Sequence, residues 1–157
     1  MFNSPNEKFI VDAVNKYSDT VFRVAYQYTK DSSDAEDIVQ EVFLKLFKTP
    51  PPQSDDEWLK AWLIRVAINK SKDFLRSKKR RRTAESNYIP PSEQPTSYNE
   101  VFEALAQLSE RDRNALYLHY YEGYTAREVA RILGGSERAM TKRICRAREK
   151  LKKFLEE

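Results

Sequence analysis

The sequence predicts an all-α protein with two small helical domains joined by a flexible linker. Apolar residues recur through most of the chain at the three- and four-residue spacing of amphipathic helices. Serine, threonine and aspartate stand where these patterns begin, as helix N-caps do. A proline-rich polar segment without periodicity, residues 83–97, separates a front part, residues 1–82, from a back part, residues 98–157. We therefore expect two helical domains with a linker between them.

Charge is distributed unevenly along the 157 residues, although the formal net charge is only +4. Residues 1–60 contain 7 basic and 11 acidic side chains, a balance of −4. Residues 61–157 contain 21 basic and 13 acidic side chains, a balance of +8. A basic segment favours an acidic partner such as nucleic acid, so we expect different partners for the two ends of the chain.

The composition argues against a catalytic centre, a cofactor site and a metal site. His119 is the only histidine and Cys145 the only cysteine, so a zinc cluster and an internal disulfide are not expected. With 3 glycines, the chain has no phosphate-binding loop. Asp37 and Glu41 lie one helical turn apart and are spaced to hold a cation, but a solvated acidic face is the favoured interpretation. We therefore expect a protein that is not an enzyme.

The sequence also indicates where the protein works. A single cysteine fits a reducing compartment, and no apolar run approaches the length that spans a membrane. We expect no membrane insertion and a cytoplasmic location.

The front part begins with two predicted helices, over residues 7–29 and 34–48. Ser33 followed by Glu36 is a capping-box pattern for the second helix. Its predicted core stripe is apolar: Ala35, Ile38, Val39, Val42, Phe43, Leu46 and Phe47. Its opposite face carries an exposed leucine with three polar neighbours: Asp37, Gln40, Glu41 and Leu44. Such a face is typical of a small protein-binding surface, whereas an isolated exposed leucine is the plain alternative.

A third helix is predicted over residues 57–80, after a loop with prolines at 50–52 and with Asp55 or Asp56 as its cap. Two apolar stripes on opposite sides predict that this helix is wedged inside a bundle. A polar strip runs between the stripes: Trp58, Arg65, Asn69, Lys72 and Arg76. Cations, an amide and an aromatic ring along one line suit single-stranded nucleic acid. The basic run at 78–82 extends the strip, unless it is a solvated face or a targeting signal.

The back part begins with two predicted helices, over residues 98–108 and 110–122. Ser109 is suited to cap the second of them. Four of its apolar side chains are expected to pack against the rest of the domain: Leu116, Leu118, Tyr120 and Tyr121.

A helix-turn-helix pattern follows. Thr125 and Glu128 form a capping-box pattern, Gly134 and Gly135 end the first helix, and Ser136 is suited to cap the second. The second helix has a predicted core face: Met140, Ile144, Ala147 and Leu151. Its outer face is mostly charged: Arg138, Lys142, Cys145, Arg146 and Glu149. Such a helix fits the DNA major groove, and the alternative is a helical hairpin with a solvated basic face.

These motifs, taken in order, resemble a known family. Residues 34–45 resemble the polymerase-binding segment of bacterial extracytoplasmic-function sigma factors. Residues 62–76 resemble the promoter-melting helix of those factors, and residues 108–151 resemble their second DNA-binding domain. Gly135 and Thr141 depart from the residue types usual in the family. The resemblance covers nearly the whole chain.

The resemblance implies a DNA-binding transcription initiation factor of the sigma-70 family that directs bacterial RNA polymerase core to specific promoters. Residues 1–82 would be region 2, which binds the polymerase β′ subunit and the melted minus-10 element. Residues 98–157 would be region 4, which reads the minus-35 element. An anti-sigma factor is a further partner that the resemblance allows. The alternative is a stand-alone helix-turn-helix regulator, which needs only residues 98–157.

The resemblance also assigns roles to individual residues. The implied polymerase contacts are Asp37, Gln40, Glu41 and Leu44. The implied minus-10 contacts are Trp58, Arg65, Asn69, Lys72 and Arg76. The implied minus-35 contacts are Ser136, Arg138, Thr141, Lys142, Arg143 and Arg146.

Overall fold

The computed structural model describes residues 5–51, 55–84 and 99–156. Their regular elements are all helices, which confirms the all-α fold class. The chain divides into two compact units, Met1–Gln94 and Pro95–Glu157. No helix in the described ranges has the length and apolar character needed to cross a membrane.

The first unit consists of three helices, each packed against the other two: α1 (Pro5–Thr29), α2 (Ser32–Lys48) and α3 (Asp56–Ala84). Lys30, at φ 54°, takes the left-handed conformation that ends α1, and its N–H donates to the Tyr26 carbonyl at 2.9 Å. Because the chain turns there, Asp31 follows in extended backbone, and its Oδ1 accepts from the Asp34 N–H at 2.9 Å. The predicted capping box of Ser33 is therefore wrong, since α2 begins before it.

The core stripe of α2 is confirmed over most of its length. Ala35, Ile38, Val42, Phe43 and Leu46 are buried. Two predicted members differ, because Val39 is half-buried and Phe47 is 58% exposed. Phe47 stands in the last turn of α2, where the prediction that it faces the core is wrong.

Helix α3 is buried on two sides, as predicted. Its cap is Asp55, whose Oδ1 accepts from the Trp58 N–H at 2.8 Å. Both apolar stripes contribute fully buried side chains, among them Leu63 on one side and Ile64 on the other. The helix runs through the basic segment to Ala84. Residues 83 and 84 of the predicted linker are thus helical, and residues 85–97 lie outside the described residues.

The second unit contains α4 (Asn99–Ala106), α5 (Glu110–Leu116), α6 (Ala126–Leu133) and α7 (Glu137–Glu156). Helix α7 packs against each of the other three. Ser109 caps α5 as predicted, since its Oγ accepts from the Asp112 N–H at 3.3 Å.

A single π-helical turn, Tyr117–Tyr121, continues α5. Its five-residue spacing is visible in the Glu122 N–H, which donates to the Tyr117 carbonyl at 3.2 Å. This wider turn changes which side chains face inward. Leu118 remains buried, but Tyr120 and Tyr121 are 54% and 59% exposed, so the predicted packing is only partial. The Tyr120 hydroxyl accepts from the Arg148 Nη1 at 3.2 Å, and the Tyr121 ring stacks on the Tyr117 ring.

The helix-turn-helix forms as the local sequence predicts. The Thr125 Oγ1 accepts from the Glu128 N–H at 3.1 Å, while the Thr125 N–H donates to the Glu128 carboxylate at 3.0 Å. The turn after α6 uses left-handed backbone at Gly134 and Gly135, with φ values of 95° and 100°. Ser136 then caps α7 by accepting from the Ala139 N–H at 3.1 Å. The core face of α7 is buried at Met140, Ile144 and Ala147 and half-buried at Leu151.

Candidate functional site

The polar face of α2 lies in solvent and brings its four predicted residues together. Leu44 is 50% exposed, and Asp37, Gln40 and Glu41 are exposed around it. These residues form one wall of a groove. The other wall comes from α3 and was missed in the sequence: Lys70, Asp73, Phe74, Ser77 and Arg81. We call this feature the α2–α3 groove.

An ion pair fixes the two walls of the α2–α3 groove relative to each other. The Lys78 Nζ lies 3.2 Å from the Asp34 Oδ2, and the two side chains are only 16% and 23% exposed. Lys78 therefore has an internal role, although the sequence placed it in a basic run open to ligands. Because both partners are largely shielded from solvent, removing either one would leave the other charge poorly solvated and unpaired.

The polar strip of α3 lies along one side of a continuous helix, since residues three, four and seven apart face the same way. Arg65, Asn69 and Arg76 are exposed, while Trp58 and Lys72 are half-buried. Arg76 lies 3.7 Å from Asp73, with both side chains about two-thirds exposed at 66% and 69%. Around Arg65 and Asn69 the strip is narrow, because the residues beside it are buried: Ile64, Val66 and Ile68.

The outer face of α7 is broad and basic. Arg138, Lys142 and Arg146 recur every four residues and are all exposed. Thr141 is exposed as well, with its Oγ1 donating to the Glu137 carbonyl at 2.9 Å. Ser136 is exposed, but its hydroxyl is used for capping.

Arg143 is placed differently from the other predicted residues on α7. Its Nη1 donates to the Asp112 Oδ1 at 2.7 Å, and its side chain is 35% exposed. The Lys150 Nζ donates to the other oxygen, Oδ2, at 3.4 Å. Asp112 itself is only 7% exposed. Sequence spacing does not reveal this cluster, because Arg143 and Lys150 lie 31 and 38 residues from Asp112.

A basic groove joins α7 to the start of α5. Its walls include the predicted Arg138, Lys142 and Arg146 together with Arg111, which the sequence analysis did not identify. Helical periodicity alone could not find Arg111, because it lies on a different helix. The groove thus extends the basic face beyond α7.

Two further groups have internal roles. The pKa of Glu128 lies below its usual value, chiefly because the Thr125 backbone N–H donates to its carboxylate. The His119 Nδ1 lies 2.7 Å from the Tyr124 carbonyl oxygen, so this nitrogen donates its proton to that oxygen. Both side chains therefore stabilise the helix-turn-helix.

Family models match most of the chain. The model for sigma-70 region 2 matches residues 13–81, and a model for sigma-70 region 4 matches residues 98–151. SigM of Bacillus subtilis, an ECF RNA polymerase sigma factor, is 30% identical over 145 residues, which cover 87% of this chain and 88% of SigM. The RNA polymerase sigma factor SigV of the same organism is 27% identical over 142 residues, covering 88% and 86% of the two chains.

Solved structures have the same fold. The sigma factor RpoE of Bartonella quintana, in complex with the anti-sigma factor NepR, superposes with a TM-score of 0.74 at 23% identity, covering 92% of this chain and 95% of RpoE. CnrH in complex with the cytosolic domain of CnrY gives a TM-score of 0.73 at 25% identity, covering 97% and 90%.

The matches decide between the two function classes. A stand-alone helix-turn-helix regulator would match only the back of the chain, and that alternative is wrong because region 2 matches as well. Three polar surfaces on α2, α3 and α7 lie in the matched ranges. The chain therefore belongs to the extracytoplasmic-function group of the sigma-70 family and is a transcription initiation factor.

Proposed function

We propose that this sigma factor divides its work among three surfaces. The α2–α3 groove binds the β′ subunit of RNA polymerase core, the α3 strip holds the melted minus-10 strand, and the outer face of α7 reads the duplex minus-35 element. The chain itself has no catalytic activity in this scheme. It works in the bacterial cytoplasm, where the polymerase and the promoter DNA are.

The observation that carries the proposal is Leu44. A leucine that is half exposed in the middle of a helix usually has no role, but this one lies within a groove of charged and polar residues. An apolar anchor inside a polar rim is the usual arrangement of a protein-binding surface. Leu44 would contribute most to the free energy of binding once a partner buries it. A binding role therefore accounts for an apolar side chain on the polar face of α2.

The charges of the α2–α3 groove suit a partner whose surface carries both positive and negative side chains. Asp37 and Glu41 are supplied by α2, while Lys70 and Arg81 are supplied by α3. Opposite charges on the two walls fix the orientation of a partner more than its affinity. We therefore expect salt to slow association with core polymerase without abolishing it.

The nucleic-acid roles follow from the shapes of the other two surfaces. Asn69 offers both a donor and an acceptor to the edge of an unstacked base, and Arg65 and Arg76 lie near it for phosphates. On α7, Arg138, Lys142 and Arg146 point outward along one line and can reach base edges in a major groove. An anti-sigma factor is a further partner, which family membership and the complex of RpoE with the anti-sigma factor NepR support.

The proposal is tested with the variant Leu44→Asp and core RNA polymerase. We expect association to weaken by ~1–3 kcal/mol, because a charge replaces the apolar anchor. The measurement is a titration of labelled sigma factor with core enzyme, followed by promoter-directed transcription. Val101→Asp is the matched control, since Val101 is also 50% exposed but lies on α4. Equal affinity of Leu44→Asp and the wild type would contradict the polymerase role of the groove.

A further inference from the structure

Asp112 is the most buried carboxylate among the described residues, at 7% exposure. Its two oxygens each accept from a different cation on α7, Arg143 at 2.7 Å and Lys150 at 3.4 Å. Its own N–H donates to the Ser109 Oγ, which anchors it in the first turn of α5. A carboxylate that leaves water needs such partners, so Asp112 depends on α7 being in place.

The two cations lie on one line of α7. Arg143 and Lys150 are seven residues apart, which is about two turns of helix. Two contacts at different heights along a helix resist both sliding and rotation about its axis. The two ion pairs of Asp112 therefore oppose rotation of α7 in addition to its buried face at Met140, Ile144 and Ala147.

Arg143 is also set apart from its neighbours by exposure. Along the described length of α7, the other basic side chains are exposed and Arg143 alone is half-buried. Lys142, which precedes it in sequence, is exposed and forms no hydrogen bond or ion pair with the residues that the structure describes. The buried carboxylate thus engages the Arg143 guanidinium at the side of the basic groove, which Asp112 and Arg143 line together with the outer residues of α7.

We propose that Asp112 is a positioning residue that sets the specificity of DNA reading. It holds α7 in one rotation, so that Arg138, Lys142 and Arg146 meet the bases, and it keeps Arg143 away from the DNA phosphates. The inference rests on the proposed role of α7 in reading the minus-35 element. Arg143, which the family resemblance assigns to DNA contact, has an internal role in this arrangement.

The physical reason concerns the two kinds of DNA contact. Phosphate contacts raise affinity for any sequence, whereas base contacts discriminate between sequences. An Arg143 released from Asp112 would add a phosphate contact and raise affinity for all duplexes. A recognition helix free to rotate would lose base contacts at the same time. The ratio of specific to non-specific affinity should fall on both counts.

The experiment uses the full chain and two duplexes. One duplex is selected from a randomised pool by the wild-type chain, and the other contains the same bases in shuffled order. For Asp112→Asn we expect the ratio of the two affinities to fall about tenfold. Affinity for the shuffled duplex should rise, and its logarithmic salt dependence should steepen by about one, as one more phosphate contact requires. Glu156→Gln, which makes the same charge change at the exposed end of α7, should alter neither quantity.

Arg143→Met separates positioning from direct contact and remains informative if Asp112→Asn does not fold. We expect it to lower the affinity ratio while leaving affinity for the shuffled duplex unchanged. If Arg143→Met instead weakens binding to the shuffled duplex, Arg143 contacts DNA and the inference is overturned. An unchanged ratio in either folded variant would overturn it equally.

If the wild-type chain selects no sequence from the pool, the proposed role of α7 is wrong, and the inference fails with it. If instead Asp112→Asn still selects its sequence as well as the wild type does, only the inference about Asp112 is overturned and the proposed role of α7 stands.

Discussion

Helices α3 and α7 both present basic side chains, yet they are embedded in their units in different ways. Helix α3 has buried stripes on two sides, with Leu63 and Ile64 both at 0% exposure, so between residues 63 and 69 only Arg65 and Asn69 are exposed. Helix α7 is buried along one face, at Met140, Ile144 and Ala147, and its other face is open. Whether a helix is buried on two sides or on one therefore decides whether it can bind only a single strand or also a duplex.

A duplex needs a protruding helix. The major groove is about 12 Å wide, and a helix with its side chains measures about 10–12 Å across, so a reading helix must stand free along one face. A helix wedged between two neighbours cannot enter that groove. It can still align a single strand, which needs only phosphate contacts along a line and a base that stacks or pairs with a side chain.

The largest expected difference between the two helices concerns stability. Ile64→Ala removes a fully buried side chain from the second stripe of α3 and should lower the free energy of unfolding of the first unit by ~2–5 kcal/mol. Arg146→Ala, on the open face of α7, should change the stability of the second unit by less than ~0.5 kcal/mol. Both tryptophans, Trp58 and Trp62, lie in α3, so their fluorescence during denaturation follows the first unit. A small effect of Ile64→Ala would mean that α3 is not wedged.

The second difference concerns nucleic-acid binding. Lys142→Ala should weaken binding of the full chain, bound to core polymerase, to an upstream duplex by ~1–3 kcal/mol if Lys142 contacts a base directly. It should leave binding to a single-stranded downstream fragment unchanged. Asn69→Ala should have the reverse effect, because its amide suits the hydrogen-bonding edge of an unstacked base.

Fluorescence anisotropy with each probe measures both variants. Arg127→Ala provides a control, because Arg127 is an exposed cation on α6 rather than on either proposed surface. If Asn69→Ala leaves single-strand binding intact, the strip on α3 is a structural surface only.

The third difference lies in how helices of the two units begin. Helix α3 has one cap, Asp55, whereas α6, which precedes α7, has a full capping box. Thr125→Ala should lower the stability of the second unit by ~1 kcal/mol, since it leaves the Glu128 N–H without its acceptor. Chemical denaturation followed by circular dichroism gives the value. Thr125→Ser restores the hydroxyl and should recover most of the loss, and failure to recover would argue against the cap.

The same capping box makes the second unit sensitive to acid. Because the pKa of Glu128 is lowered by folding, its contribution is fully present above the ordinary carboxyl pKa and is lost as pH falls through the lowered value. Glu128→Gln should therefore reduce the loss of stability between neutral and acidic pH. Denaturation curves measured across that range test this, and identical pH profiles for the two proteins would contradict it.

The smallest effect is expected for an exposed ion pair at the start of α3. Lys16 lies 2.6 Å from Asp56, but the side chains are 55% and 65% exposed, so solvent screens the interaction. Lys16→Met should leave the unfolding midpoint of the first unit unchanged. Lys78→Met, which leaves Asp34 shielded and unpaired, should lower that midpoint. Equal midpoints for both variants would show that burial of the pair does not matter.

Local signals in the sequence predicted much of this structure. The end of α1 at Thr29 followed from apolar periodicity, and the turn after α6 followed from Gly134 and Gly135. The caps at Ser109, Thr125 and Ser136 followed from residue types at fixed spacing. Such features are determined by residues within one or two turns of each other. The exposed Leu44 was predictable for the same reason, since its position opposite the core stripe is a property of one helix.

The errors arose where a helix cap, the exposure of a side chain or an ion pair depends on residues elsewhere in the chain. The cap of α2 depends on Lys30, whose left-handed backbone places Asp31 rather than Ser33 at the helix start. Tyr121 was expected to pack against the rest of the domain, but it is largely exposed because the π-helical turn changes the register that the periodicity assumed. The ion pairs of Asp112 join residues on different helices, and no pattern within one helix reveals them. The roles of individual residues in binding polymerase and DNA remain predictions.

The exposed thiol of Cys145 gives this protein a built-in footprinting probe. It is the only cysteine in the chain, and it lies on the outer face of α7 next to Arg146. A small thiol reagent therefore modifies a single position, and its rate reports whether that face is covered. A duplex seated on α7 should slow the modification in proportion to occupancy, whereas a single strand held on α3 should leave the rate unchanged. Unmutated protein can thus show when the outer face of α7 becomes covered during promoter opening.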